Sequence, residues 1–278
     1  ISPINYKSKS KITKYFSFFY LFFYLYMTIY RYFISTPIIG AIRKSNLANE
    51  IYFNNEMGGY IWEPKDGTVD VYQHLLIYCP GFDGNASGRF AIIRKLQNLY
   101  PKHTIIILDY PSFGISYSLE FSLKNVVSKV TETINSILES NTVSTLHLMG
   151  ETIGCYIVSQ ILSNQLKVLP KSILFLNPIH DICSYYVSRY GWICFPFLLP
   201  SLSYPKTKIV KPIQKFAILY NEKDSVFEKQ ALDTLFFHNC TPLDQQRIAN
   251  IEGDGLTSFL LPTNHKKLNY ITEFLFKE

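Results

Sequence analysis

Two rhythms of apolar positions alternate along most of this chain. One is a short, largely apolar run rich in β-branched residues: Leu75–Tyr78, Thr104–Leu108, Ser144–Met149, Ser172–Leu176, Phe216–Tyr220 and Arg247–Ile251. Runs of that length bounded by turn residues predict strands. The other rhythm has the helical period. Leu123, Val126, Val127, Val130, Ile134, Ile137 and Leu138 recur at i, i+3, i+4 and i+7 and predict an amphipathic helix. Arg89–Leu99, Ile153–Leu162, Phe227–Phe237 and Lys267–Phe276 also read as helices, and Ile51–Phe53 and Gly59–Trp62 as two short strands split by a polar turn. Apolar strands alternating with helices predict an α/β architecture, a mostly parallel sheet with helices on both faces. Residues 182–212, rich in Pro, Tyr and Trp, read as irregular and are too short for an independent domain.

The first 49 residues break this pattern. Tyr15 to Tyr30 is an uncharged run rich in Phe, Tyr and Leu, and past Arg31 the apolar character continues to Ile39. About 20 apolar residues cross a bilayer as a helix, so residues 15–39 are expected to form a single transmembrane anchor. The lysines before the run place the N-terminus on the positive-inside face. The chain opens at Ile1 rather than Met, and the segment is expected to stay as an anchor rather than be removed as a signal or transit segment. The predicted organisation is therefore a basic lead-in and anchor over residues 1–49, followed by one domain over residues 50–278.

Charge sharpens that division. The net charge is +6, yet no Asp or Glu precedes Glu50, while seven Lys and Arg do. Removing those seven from the 27 basic residues leaves 20 against 21 acids, so the domain itself is near neutral. That excludes the basic stripe a nucleic-acid-binding surface needs, and no nucleic-acid partner is expected. Membrane lipids and protein subunits of a membrane assembly are the expected partners. The acid-free lead-in favours the mitochondrial inner membrane, with the endoplasmic reticulum as the alternative. Five cysteines with no C-x-x-C pair read as buried free thiols in a reducing compartment. No phosphate loop, dinucleotide fingerprint or metal-ligand spacing is present, so no cofactor and no metal is expected.

Five short segments carry the candidate chemistry. They are Tyr78-Cys79-Pro80-Gly81-Phe82, then Asp109-Tyr110-Pro111-Ser112-Phe113-Gly114-Ile115-Ser116, Gly150-Glu151-Thr152-Ile153-Gly154, Tyr220-Asn221-Glu222-Lys223-Asp224 and Glu252-Gly253-Asp254-Gly255-Leu256. In that order and spacing the chain resembles the α/β-hydrolase superfamily over residues 50–278, in particular its small membrane-associated branch that includes protein depalmitoylases. The resemblance implies the α/β-hydrolase fold, with 182–212 at the place of a lid. It puts Gly150–Gly154 at the nucleophile elbow, with Thr152 where the serine belongs. Asp224 takes the place of the triad acid and Leu256 that of the histidine. The backbone N–H groups of Phe82 and Ile153 become the oxyanion donors.

Two of these positions hold the wrong residue. Thr152 keeps a hydroxyl, but its methyl restricts χ1 and crowds the line of attack. Leucine cannot move a proton, and a hydroxyl without a base is a poor nucleophile. Asp224 then reads as a turn residue capping a following helix. His180 and His265 are the candidates for a relocated base; His74, His103, His147 and His238 read as lying at strand or helix ends. Three readings follow. The first is a catalytically inactive structural or accessory subunit of a membrane complex. The second is an active esterase or thioesterase with Thr152 as nucleophile, His180 or His265 as base and Asp224 as acid. The third is a lipid- or acyl-binding module using the vestigial cleft.

Overall fold

The structure is a computed structural model. It describes residues 20, 24, 49–53, 56–65, 67, 71–82, 85–116, 119, 122–163, 166–190, 205–224, 229–237, 241–253 and 261–276. The strands are β1 (Asn49–Tyr52), β2 (Gly58–Trp62), β3 (His74–Cys79), β4 (Thr104–Asp109), β5 (Thr145–Glu151), β6 (Ser172–Leu176), β7 (Lys215–Tyr220) and β8 (Gln246–Asn250). They form one eight-stranded sheet in the order β1-β2-β4-β3-β5-β6-β7-β8. The β1–β2 and β2–β4 pairs are antiparallel; from β4 to β8 all pairs are parallel. The helices are α1 (Phe90–Leu99), α2 (Leu123–Ser140), α3 (Ile153–Ser163), α4 (Ile182–Tyr190), the short α5 (Lys229–Leu232) and α6 (His265–Phe276).

The apolar strands sort their side chains onto the two faces by simple alternation. Leu75 and Ile77 of β3, Ile106 and Leu108 of β4, and Leu146 and Leu148 of β5 join one core with α2, α3 and α4. Leu76, Tyr78, Ile105, Ile107 and Met149 face the other core, closed by Ile92, Ile93 and Leu96 of α1 and by Leu268, Ile271, Leu275 and Phe276 of α6. The period-3.6 stripe of α2 is the buried face of that helix, and its start is fixed by Ser122, whose hydroxyl accepts from the Asn125 N–H at 3.1 Å.

Some expectations shift. Residues 182–190, expected to be irregular, form α4. The helix is launched by Asp181, whose carboxylate accepts from the Ser184 N–H at 2.8 Å and from the Ser184 hydroxyl at 2.9 Å; that capping outweighs the poor helix propensity of a Tyr-rich run. Residues 191–204 of the lid-like segment lie outside the described residues. The helix expected over Phe227–Phe237 is a single α turn, Lys229–Leu232, continued by a π turn over Asp233–Phe237. Arg89 belongs to a short 3-10 turn, Ala86–Arg89, that precedes α1. The expected anchor at 15–39 lies outside the described residues apart from Tyr20 and Tyr24, and no helix among the described residues is long and apolar enough to cross a membrane.

Candidate functional site

The elbow is present in full backbone detail. β5 ends at Glu151, Thr152 turns the chain with a left-handed φ of 48°, and α3 starts at Ile153. The turn is pinned by Thr152 N–H donating to Leu176 O at 2.8 Å and by Cys155 N–H donating to Thr152 O at 3.0 Å. Both flanking glycines are required by close approach. A Cβ on Gly150 would come within 2.7 Å of Cys155 Cα, and one on Gly154 would collide with the Cys79 carbonyl of the neighbouring strand. A β-branched residue at positive φ is strained by about 1–3 kcal/mol, so the turn is held by its surroundings rather than by Thr152 itself.

Thr152 is 8% exposed, and its Oγ1 is buried with no hydrogen-bond partner among the described residues. The hydroxyl is directed at the Pro80-Gly81-Phe82 turn: a Cβ on Gly81 would meet Thr152 Oγ1 at 2.5 Å and Glu151 Oε1 at 2.8 Å. Gly81 therefore leaves room for the hydroxyl. Neither His180 nor His265 is bonded to it. His180 is half-buried on the loop after β6, where its carbonyl accepts from Thr207 N–H at 2.9 Å. His265 is the exposed first residue of α6.

Beneath the elbow sits a buried ionic cluster that sequence reasoning missed. Arg89 makes a two-pronged pair with Glu151, Nη2 to Oε1 at 2.8 Å and Nε to Oε2 at 3.1 Å, and Tyr78 OH donates to Glu151 Oε2 at 2.5 Å. The Arg89 and Glu151 side chains are 4% and 5% exposed. Burial, then the Glu151 charge, pushes the Tyr78 phenol well above its ordinary value, so it stays a donor. The signal that could have found the cluster is Glu151 itself, a carboxylate at the end of an apolar strand, which demands a buried cation.

The turn facing the elbow is also braced. Tyr110 OH donates to Pro80 O at 2.8 Å. Asp109 accepts the N–H of Ala86 at 2.7 Å and of Ile115 at 3.1 Å, tying the 3-10 turn before α1 to the Gly114–Ser116 turn. Burial raises the Asp109 carboxyl, and these two donors partly counter it. Phe82, 7% exposed, packs its ring 5.6 Å from Tyr110 and 5.3 Å from Phe113. Ile153 is the first residue of α3, where an N–H has no acceptor within the helix.

At the ends of β6 and β7 a second polar group gathers around Asp224. Asn177, at a left-handed φ of 45°, donates from Nδ2 to Asp224 Oδ2 at 2.8 Å and accepts the Asn221 N–H on Oδ1 at 2.7 Å. Asn221 in turn donates to the Gly253 carbonyl and accepts the Lys223 N–H at 3.0 Å. Leu256, which the resemblance puts in the histidine's place, lies outside the described residues, as do residues 225–228, where Asp224 is expected to cap a helix. Cys79 and Cys155 are fully buried; burial pushes the Cys79 thiol up to about 12 and raises Cys155 as well, which makes both packing residues rather than nucleophiles. Among the described residues no group of His, Cys, Asp or Glu is arranged to hold a metal ion.

No protein-family model matches the sequence, and no curated protein is similar to it in sequence. Its fold does have solved relatives. An esterase of the bacterial hormone-sensitive lipase family superposes with a TM-score of 0.63 at 16% identity, covering 89% of this chain and 90% of that one. The Pyrococcus furiosus esterase Pf2001 gives 0.60 at 11% identity, with 86% and 96% covered. The Francisella virulence factor BioJ gives 0.55 at 17% identity, with 90% and 91% covered. With the strand order, the glycine-flanked elbow and these likenesses together, the chain has the α/β-hydrolase fold.

Proposed function

We propose that this chain is a catalytically silent α/β-hydrolase-fold protein that serves as an accessory subunit of a membrane assembly, in the mitochondrial inner membrane or, as the alternative, the endoplasmic reticulum. The observation that carries the first half is Thr152 Oγ1, buried and without a hydrogen-bond partner among the described residues. Nucleophilic catalysis by a hydroxyl needs a base within hydrogen-bond reach. Leucine at 256 supplies none, and Asn177 occupies an oxygen of the acid that would orient one. Loss of a triad member alone lowers turnover by roughly 10⁴-fold or more. The second half rests on the acid-free lead-in and the apolar run at 15–39.

The test is labelling of the full chain, in detergent, by a fluorophosphonate probe. The silent reading expects no adduct. An adduct that Thr152→Ala abolishes overturns it in favour of an esterase using Thr152. For the assembly, the chain is expected to resist carbonate extraction and to migrate with other subunits on a native gel. A monomer released by carbonate sinks that half alone.

A further inference from the structure

At the end of the sheet opposite the elbow, three histidines stand in one file. His74 opens β3, His103 immediately precedes β4, and His147 is an interior residue of β5 rather than at a strand end as expected. The His74 and His103 rings lie 5.4 Å apart and those of His103 and His147 5.3 Å. His103 is 8% exposed and His147 2%. Each end of the file is fixed by a hydroxyl: His74 Nδ1 is 2.8 Å from Thr145 Oγ1, and His147 Nδ1 is 2.7 Å from Ser172 Oγ. The file is sealed by the last turn of α6. The Phe276 ring sits 4.8 Å from His147, 5.5 Å from His103 and 4.4 Å from Tyr100.

The charges acting on the two buried rings are positive. Lys171 and His74 act on both, and Lys215 on His147. From the α6 side, the Glu273 charge acts on Tyr100, and Phe274 lies under Arg247 at 4.3 Å and Lys215 at 5.9 Å. The charges acting on these rings disfavour protonation, and protonated imidazoles here repel one another. Burial, then the neighbouring charges, holds His103 down to about 4 and His147 to about 2.

We propose that His74, His103 and His147, capped by Phe276, form an acid-operated latch that frees the last turn of α6 while the sheet stays folded. The movable partner is identified by topology. The rings stand on or beside β3, β4 and β5, central strands of the sheet, whereas Phe276 belongs to a helix packed on the sheet's face. Lifting that turn hydrates both buried imidazoles. A hydrated imidazole titrates near 6.5, so the opened form binds protons that the closed form refuses. Opening is therefore favoured as pH falls below about 6.5, and one histidine held near 4 favours it about thirtyfold at pH 5. The latch is independent of whether Thr152 has chemistry.

The test is hydrogen exchange by mass spectrometry on the full chain between pH 7.5 and 5, corrected for the intrinsic pH dependence of exchange. Protection of the α6 peptide is expected to drop at least about tenfold while β5 and α3 hold theirs. A His103→Gln/His147→Asn variant, in which asparagine keeps a partner for Ser172, is expected to flatten the α6 response. Equal loss of protection in α6 and β5, or no change in α6, overturns the latch on the unmodified chain alone, whether or not the variant folds. A folded variant that still opens with acid overturns the assignment to these histidines.

Discussion

Asn177 and Asp224 are joined across the ends of β6 and β7 by one hydrogen bond of 2.8 Å, Nδ2 to Oδ2. The same amide accepts the Asn221 N–H on its other end. One side chain thus ties down two other loop residues, and it does so from a backbone conformation that most residues avoid. Asn177→Ala is expected to lose both bonds and to retain the strain, costing about 2–3 kcal/mol. Asn177→Gly loses the same bonds without the strain, and is expected to cost about 1 kcal/mol less. Urea unfolding of the two variants checks the difference; equal losses would show that φ carries no strain there.

The elbow makes a paired prediction on glycines. Gly154→Ala drives a methyl into the Cys79 carbonyl, backbone against backbone, and is expected to cost about 3 kcal/mol or more or to prevent folding. Gly88→Ala, in the turn before α1, meets nothing within 4 Å and is expected to stay within about 0.5 kcal/mol of the parent. Thermal melts of both decide it.

Thr152 carries two local penalties, a positive φ and a buried hydroxyl without a partner among the described residues. Thr152→Gly relieves both and loses only a small side chain. It is expected to stabilise the domain by about 1 kcal/mol. A destabilised variant would show that the hydroxyl has a role in holding the fold.

The Arg89–Glu151 pair is buried and two-pronged, so breaking it from one side strands a charge. Arg89→Met is expected to cost about 3–5 kcal/mol, and the Arg89→Met/Glu151→Met double variant less than Arg89→Met alone. A double-mutant cycle by chemical denaturation measures the coupling; additivity would show that the two side chains act separately.

Stability should also depend on pH through His103 and His147. Both imidazoles have folded-state values below the 6.5 of a free histidine, so the unfolded chain takes up protons first. Their contribution is complete above about pH 6.5 and is lost as pH falls, toward 4 for His103 and further for His147. The slope is on the order of 1 kcal/mol per pH unit for each group. Asp109, raised by burial, protonates more readily when folded and offsets part of the loss at the acid end. Urea midpoints at pH 7 and pH 5 give the sign; a flat profile would refute it.

The sheet was legible because its strands are apolar on both faces and its helices on one. Ser172–Leu176 stands in the structure as the apolar run predicts it, and α2 buries the stripe that its spacing predicts. The elbow was legible because close approach of strand and helix forces glycine at 150 and 154. The polar braces were not. Arg89 and Glu151 are 62 residues apart and Asn177 and Asp224 47, and pairing over such distances leaves no period in a sequence. Nor was α4, whose start depends on Asp181 and Ser184 meeting locally rather than on any apolar repeat. The histidine file was hidden for the same reason: two rings come from β3 and β5 and the third from the residue before β4.

The collision that a side chain at Gly154 would make with Cys79 has an evolutionary reading. That glycine answers to packing, not to reactivity, so drift can erase a nucleophile's partners while the loop around it stays frozen. A search keyed to the glycine pair reports the shape of the turn, whether or not turnover accompanies it. What persists in such a pattern is the memory of a shape.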